Sequence, residues 1–248
     1  MANKLFLARH PLDSWFWALF IATSWLVVLI GFAPPVEARF TGKADYPAPP
    51  ILVLHVFVYT GWMVLLTTQA ALVAARRVDW HRQLGLLGAG LAVLVPITGM
   101  ASEVVSQRFY AVTDPENVRF FIIPVMMAAG FALFAALAVV GRRDSGFHKR
   151  AIYLATAFIV TGPYARTWGG TLEALVGGGP VGSAAHWLSG LNLMLAGLVG
   201  YDLATRGQLH PLVKRALIGI IPLQFAVIWI WYSDWWPPIA RAVLGIAA

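Results

Sequence analysis

Residues 51–85 read ILVLHVFVYTGWMVLLTTQAALVAARRVDWHRQLG. The first 25 of them, 51–75, contain no Asp, Glu, Lys or Arg. Then the chain turns sharply basic, at Arg76, Arg77 and Arg82, with His81 set among the cations. About 20 apolar residues suffice for a helix to cross a ~30 Å hydrocarbon core, so this stretch predicts a membrane span that ends in a basic turn. The same design recurs as RRDSGFHKR at 142–150 and RGQLHPLVKR at 206–215.

The composition agrees. Of 248 residues, 59% are hydrophobic and 12% charged, and the mean hydropathy is +0.73. Soluble domains carry about a quarter charged residues, so lipid is the expected solvent. Seven apolar runs are predicted to span, near 14–33, 51–75, 84–105, 119–141, 150–170, 184–204 and 215–233. They leave no room for a soluble domain: 1–248 is predicted to be a single all-α polytopic domain. The apolar run after MANKLFLARHPLDSW is too long for a cleaved signal and lacks a small-residue cleavage site, so it is expected to remain as the first span. With no cysteine, disulfides, thiolate metal sites and Cys nucleophiles are excluded.

The net charge of +7 is distributed asymmetrically. Twelve cations, Lys4, Arg9, Arg76, Arg77, Arg82, Arg142, Arg143, Lys149, Arg150, Arg206, Lys214 and Arg215, fall on one side of a seven-span arrangement. Five, Arg39, Lys43, Arg108, Arg119 and Arg241, fall on the other. The positive-inside rule then predicts a cytoplasmic N-terminus. Basic loops beside anionic headgroups account for the charge, and membrane lipid, not nucleic acid, is the expected partner.

His81, His148 and His210 are 67 and 62 residues apart, each with a basic residue four to six positions upstream. Pro96 and Pro163 follow their histidines by fifteen residues, and Pro222 follows His210 by twelve. This spacing predicts one helix and outer loop over 1–50, followed by three related hairpins at 51–105, 119–170 and 184–233. The outer stretches PVEARFTGKADYPAPP and GGTLEALVGGGPVGS are expected to be loops, and the Trp pair in SDWWPPIARAVLGIAA to anchor at the interface.

Polar residues inside spans are the candidate site. His55, Trp62 and Gln69 recur every seven residues, about one face of a helix. Glu103, Tyr164, Arg166 and His186 are expected in the outer half of the membrane, with His55. Arg166 lies too far from the cytoplasmic end of its helix to snorkel inward, and so needs an acid, an anionic ligand or a propionate. Three readings stay open. A b-type haem or a quinone is held there, with His55 and His186 as axial ligands and Arg166 on a propionate or quinone oxygen. A non-redox pocket binds or passes a small amphiphile over a Glu103–Arg166 floor. Or the chain is a structural or accessory subunit with no cofactor, Glu103 and Arg166 merely pairing. Separately, His81, His148 and His210 are candidate ligands of a zinc or copper ion, against the alternative that they stabilise turns and contact lipid phosphate. No GxSxG, HExxH or Walker loop occurs, and no intramembrane lysine is available for a Schiff base.

HVFVYTGWMVLLTTQAALVAARRVDWHRQLG and HKRAIYLATAFIVTGPYAR also resemble a family of uncharacterised bacterial multi-pass membrane proteins, a domain of unknown function. The resemblance rests on His55, Gln69, His81, Arg82, Gly85, His148, Arg150 and Arg166, covers spans two to five best and the last hairpin more loosely. It implies a shared membrane fold, a shared set of polar positions and a bacterial inner-membrane location. The histidine-bearing helices are loosely similar to those of membrane cytochromes b, without two intramembrane histidine pairs at opposite depths.

Overall fold

The computed structural model describes residues 6–7 and 9–247; Lys4, counted above among the basic side, lies outside them. The described residues are helical, with no strand. In chain order the helices are α1 (Asp13–Phe40), α2 (Pro50–Ala74), α3 (Val78–Tyr110), α4 (Ile122–Val140), α5 (Ser145–Tyr164), α6 (Gly170–Val176), α7 (Gly179–Arg206), α8 (Pro211–Trp231) and α9 (Trp236–Leu244). A 3₁₀ segment, Pro115–Phe121, leads into α4, and a π-helical segment, Ala165–Gly169, joins α5 to α6 without a break.

Local chemistry sets the ends. Asp144 caps α5, accepting from the backbone N–H groups of Gly146 (2.8 Å) and Phe147 (3.1 Å). His210 caps α8 through Nδ1, which accepts from Leu212 N at 3.1 Å, and Pro211 occupies the first helical position. The turn after α2 is tight enough to force Arg76 to φ +59°, the one non-glycine residue with positive φ among those described.

Five segments are long and apolar enough to cross a membrane: α1, α2, α3, α4 with its 3₁₀ lead-in, and α8. Their exposed surfaces carry Leu19, Leu29, Phe57, Leu86, Leu133, Ile218 and Phe225, as lipid-facing helices require. This is a helical membrane protein.

The fold is organised around α5, which packs on α1, α4, α7 and α8 and buries Arg150 through Val160 except for Ile152. α5 and α7 are the long helices that fall outside the five. Both carry polar and small residues, and their shared interface holds a fully buried ion pair, Arg150–Asp202. The pair is enclosed between the two helices, α5 being covered by its neighbours while α7 keeps an exposed face at Leu193 and Leu203. Close backbone approach fixes the packing. A Cβ on Gly31 of α1 would lie 2.6 Å from Pro163 O of α5, and one on Gly190 of α7 would lie 2.4 Å from Tyr164 Cβ.

Two expectations are corrected. GGTLEALVGGGPVGS is not a loop: its Thr-Leu-Glu-Ala-Leu-Val core forms α6, and Gly177 at φ +88° makes the break before α7. Helix-forming side chains override the flanking glycines there. Val36–Phe40 likewise belong to α1, so the outer loop is shorter than expected. In the tail, Trp235 is exposed at 45%, as an anchor would be, but Trp236 is 9% exposed and donates from Nε1 to Arg119 O at 3.1 Å. It docks α9 on the 3₁₀ segment.

Candidate functional site

The two ends of the bundle differ in chemistry. At the end carrying the histidine turns, Arg150 Nε lies 3.1 Å from both carboxylate oxygens of Asp202, Nη2 also bonds Asp202, and Nη1 donates to Gly146 O at 3.0 Å. Asp202 further accepts from His210 N at 3.0 Å. Beside this pair, Asp13 accepts from Lys149 Nζ at 2.5 Å, from Arg206 Nη2 at 2.8 Å and from Tyr201 OH. The network ties α1, α5, α7 and the α7–α8 turn together. Burial, and then the Arg150 charge, hold the His210 imidazole below its ordinary pKa, so the cap is neutral.

At the opposite end, cations close helix ends. Arg108 Nε donates to Leu244 O at 2.5 Å, Arg119 Nη1 to Ser233 O at 2.9 Å, and Arg241 Nη2 to Pro115 O at 2.9 Å. These three arginines, expected together on the basic-poor side, meet around α9.

Arg166 behaves differently. It sits in the π-helical segment that begins two residues after Pro163. Proline supplies no N–H to the α-helical ladder, and π segments arise where the ladder is interrupted. Thr167 Oγ1 donates to Pro163 O at 2.9 Å, satisfying one of the carbonyls there. The widened turn carries the Arg166 guanidinium over the Phe32 ring of α1, 4.9 Å from its centroid. The side chain is open to the surface. Among the described residues it makes no ion pair within 4.0 Å.

His55 of α2 and Glu103 and Tyr110 of α3 are near enough for the Arg166 charge to reach them, though none of the three bonds it. Glu103 does not pair with Arg166: its Oε1 accepts from Gln107 Nε2 at 2.8 Å, and Gln107 Oε1 accepts from Asn117 Nδ2 at 2.9 Å. The His55 ring lies 4.1 Å from Tyr59, and its buried Nδ1 has no protein partner. An unpaired guanidinium and an unpaired imidazole nitrogen thus stand in the same neighbourhood.

The remaining candidates are engaged elsewhere. Trp62 packs on Phe131 in the core and donates from Nε1 to Thr156 Oγ1 of α5 at 3.2 Å. Gln69 holds the α2–α3 turn, donating from Nε2 to His81 O at 3.1 Å. His186 bonds Glu173 of α6 through Nδ1 at 2.8 Å and stacks on Trp187. No ring contact joins it to His55 among the described residues. Tyr164 is buried against α7 and contacts the Trp168 ring at 5.3 Å.

Asp13, Asp202 and Tyr201 escaped the sequence reading. Asp202 had a signal, a carboxylate inside the sixth apolar run. Asp13 had none, since an acid before an apolar run reads as an ordinary first-turn residue.

The fold defines a helical membrane protein in which Arg166 lies exposed and, among the described residues, without an ion pair. The chain matches no protein-family model, and no curated protein or solved structure matches it either.

Proposed function

We propose that this chain is a seven-span protein of the bacterial inner membrane that binds the oxygen-bearing head of a small amphiphile at Arg166. In this reading α1, α2, α3, α4, α5, α7 and α8 cross the bilayer, the histidine turns and the N-terminus are cytoplasmic, and Arg166 faces the outer half. The bias of twelve cations to the turn side against five supports this orientation. The helical hairpins at the three histidine turns support descent from a repeated unit.

One observation carries the reading: a guanidinium, open to the surface, with no acid within 4.0 Å among the described residues, which this reading puts in the outer half of the membrane. An ionised side chain in that setting requires an acceptor. The head group of an anionic lipid, or the carbonyl of a quinone, supplies one while its tail lies along the apolar helix faces. His55 Nδ1, buried without a partner, offers the second polar contact. The axial-ligand reading of His55 and His186 draws no comparable support, because His186 is bonded to Glu173 and stacked on Trp187.

Thermal unfolding in detergent, with a short-chain phosphatidylglycerol or a short-chain quinone added, tests this. A ligand that binds only the folded state raises the transition by mass action. One of the two amphiphiles is expected to raise it for the wild type and not for Arg166→Gln. No rise with either, or an equal rise for the variant, leaves the chain as a structural subunit.

A further inference from the structure

His81 and His148 belong to different turns, 67 residues apart, yet their ring centroids lie 6.3 Å apart with the planes perpendicular at 89°. Each ring is anchored in the same way. His148 Nδ1 lies 2.9 Å from Ala138 O, near the end of α4, and His81 Nδ1 lies 3.4 Å from Gln69 O, near the end of α2. A carbonyl oxygen can only accept, so each Nδ1 is placed to donate, which leaves Nε2 as the nitrogen available to a metal. Metal-ligating histidines characteristically show this arrangement, with the far nitrogen donating to a carbonyl and so fixing tautomer and ring direction.

We propose that His81 and His148 are paired ligands of one transition-metal ion, bound through Nε2. With metal–nitrogen bonds of about 2.0–2.1 Å, two imidazoles placed trans across one ion have centroids about 6 Å apart, close to the 6.3 Å seen here, whereas a tetrahedral angle would bring them to about 5 Å. Both residues lie in the first turn of their helices, α3 and α5, where the dipole favours the neutral imidazole that ligation needs. The nearby Arg76, Arg77, Arg82, Arg142 and Arg143 are all exposed, and so lie toward water and headgroups. His210 does not join: its Nδ1 accepts from Leu212 N, and its ring contacts Phe6 at 4.8 Å. The expected three-histidine site is therefore reduced to two, in keeping with the absence of any converging group of three His, Asp or Glu among the described residues. Two imidazoles suit two sources of the ion. A bare ion, copper before zinc in the affinity order, completes its shell with water. Haem iron takes both imidazoles axially and the porphyrin supplies the rest.

The test uses the full chain, free of any histidine tag, in detergent. One equivalent of Cu²⁺ is added for electron paramagnetic resonance, with Zn²⁺ as competitor; in parallel, protein expressed with haem supplied is examined optically, oxidised and then reduced. A copper spectrum coupled to two nitrogens in the wild type, lost in His81→Gln and His148→Gln and kept in His210→Gln, supports the bare ion. A Soret band lost in the same two variants and kept in His55→Ala and His186→Ala supports haem. The nitrogen count in the wild type stands even where a variant fails to fold. The proposal is overturned if wild-type protein holds neither copper, zinc nor haem at one per chain, or if both variants hold it undiminished.

Discussion

Arg150 and Asp202 have no exposed side-chain surface, and this makes Asp202→Ala the most informative stability variant. Removing the carboxylate leaves a guanidinium enclosed in the protein with Gly146 O and the Phe6 ring as its remaining neighbours, and strips His210 N of its acceptor. Breaking one side of a buried ion pair costs about 3–5 kcal/mol. For a chain of this size that corresponds to a fall in Tm on the order of 10 °C. The double variant Arg150→Met/Asp202→Leu removes both charges, and replacing a whole buried pair by apolar side chains is often neutral. Its residual loss, from the His210 N–H left without an acceptor, is about 1–3 kcal/mol. Reversible unfolding in mixed micelles, followed by tryptophan fluorescence, measures Asp202→Ala beside the cycle of wild type, Arg150→Met, Asp202→Leu and the double variant. The reasoning fails if Asp202→Ala loses less than about 1 kcal/mol, or if the double variant loses the sum of the two singles.

Other variants probe separate parts of the fold. His210 is held neutral by burial, so its stabilising cap is complete above the unfolded pKa of about 6.5 and is lost as pH falls toward the lower folded value. His210→Asn, which can still cap, is expected to flatten the stability–pH curve below pH 6.5 by up to about 1.4 kcal/mol per pH unit; an unchanged slope refutes this. Gly190→Ala places a Cβ 2.4 Å from Tyr164 Cβ and is expected to cost about 1–3 kcal/mol by overpacking, which the same unfolding measurement detects. Arg76→Gly relieves the left-handed backbone at φ +59° in an exposed turn. It is expected to stabilise by about 1 kcal/mol, and a loss of stability contradicts the turn geometry.

Apolar runs and basic turns made the helical membrane fold legible, because lipid imposes length and hydropathy on every helix it touches. α5 and α7, which carry Arg150 and Asp202, fall outside the helices that meet this criterion, and α5 packs at the centre. Where helices stop was harder to see. The stretch around Thr171–Val176 looked like a glycine-rich loop, though only Gly177 and Gly178 interrupt the helix. Of the candidate site, Glu103 bonds Gln107 instead of Arg166, and Arg166 lies over Phe32. Trp62 and Gln69 share their heptad spacing with His55 but not its surroundings, because seven residues along a helix also carry a side chain about 10 Å along the axis. The π-helical segment that turns Arg166 over Phe32 has no sequence signature beyond Pro163 and the glycines that follow. The pairing of His81 with His148 rests on how α2–α3 and α4–α5 pack, which no single turn reveals.

The most direct test of the Arg166 reading is native mass spectrometry of the chain released from mild detergent, followed by titration with the amphiphile found. Wild-type protein is predicted to retain one small amphiphile with an acidic or quinone head. Arg166→Gln is predicted to bind it roughly 10- to 150-fold more weakly, the loss of one charge-assisted hydrogen bond of about 1.5–3 kcal/mol. Wild-type protein that carries no such molecule, or a variant that binds it equally well, contradicts the account.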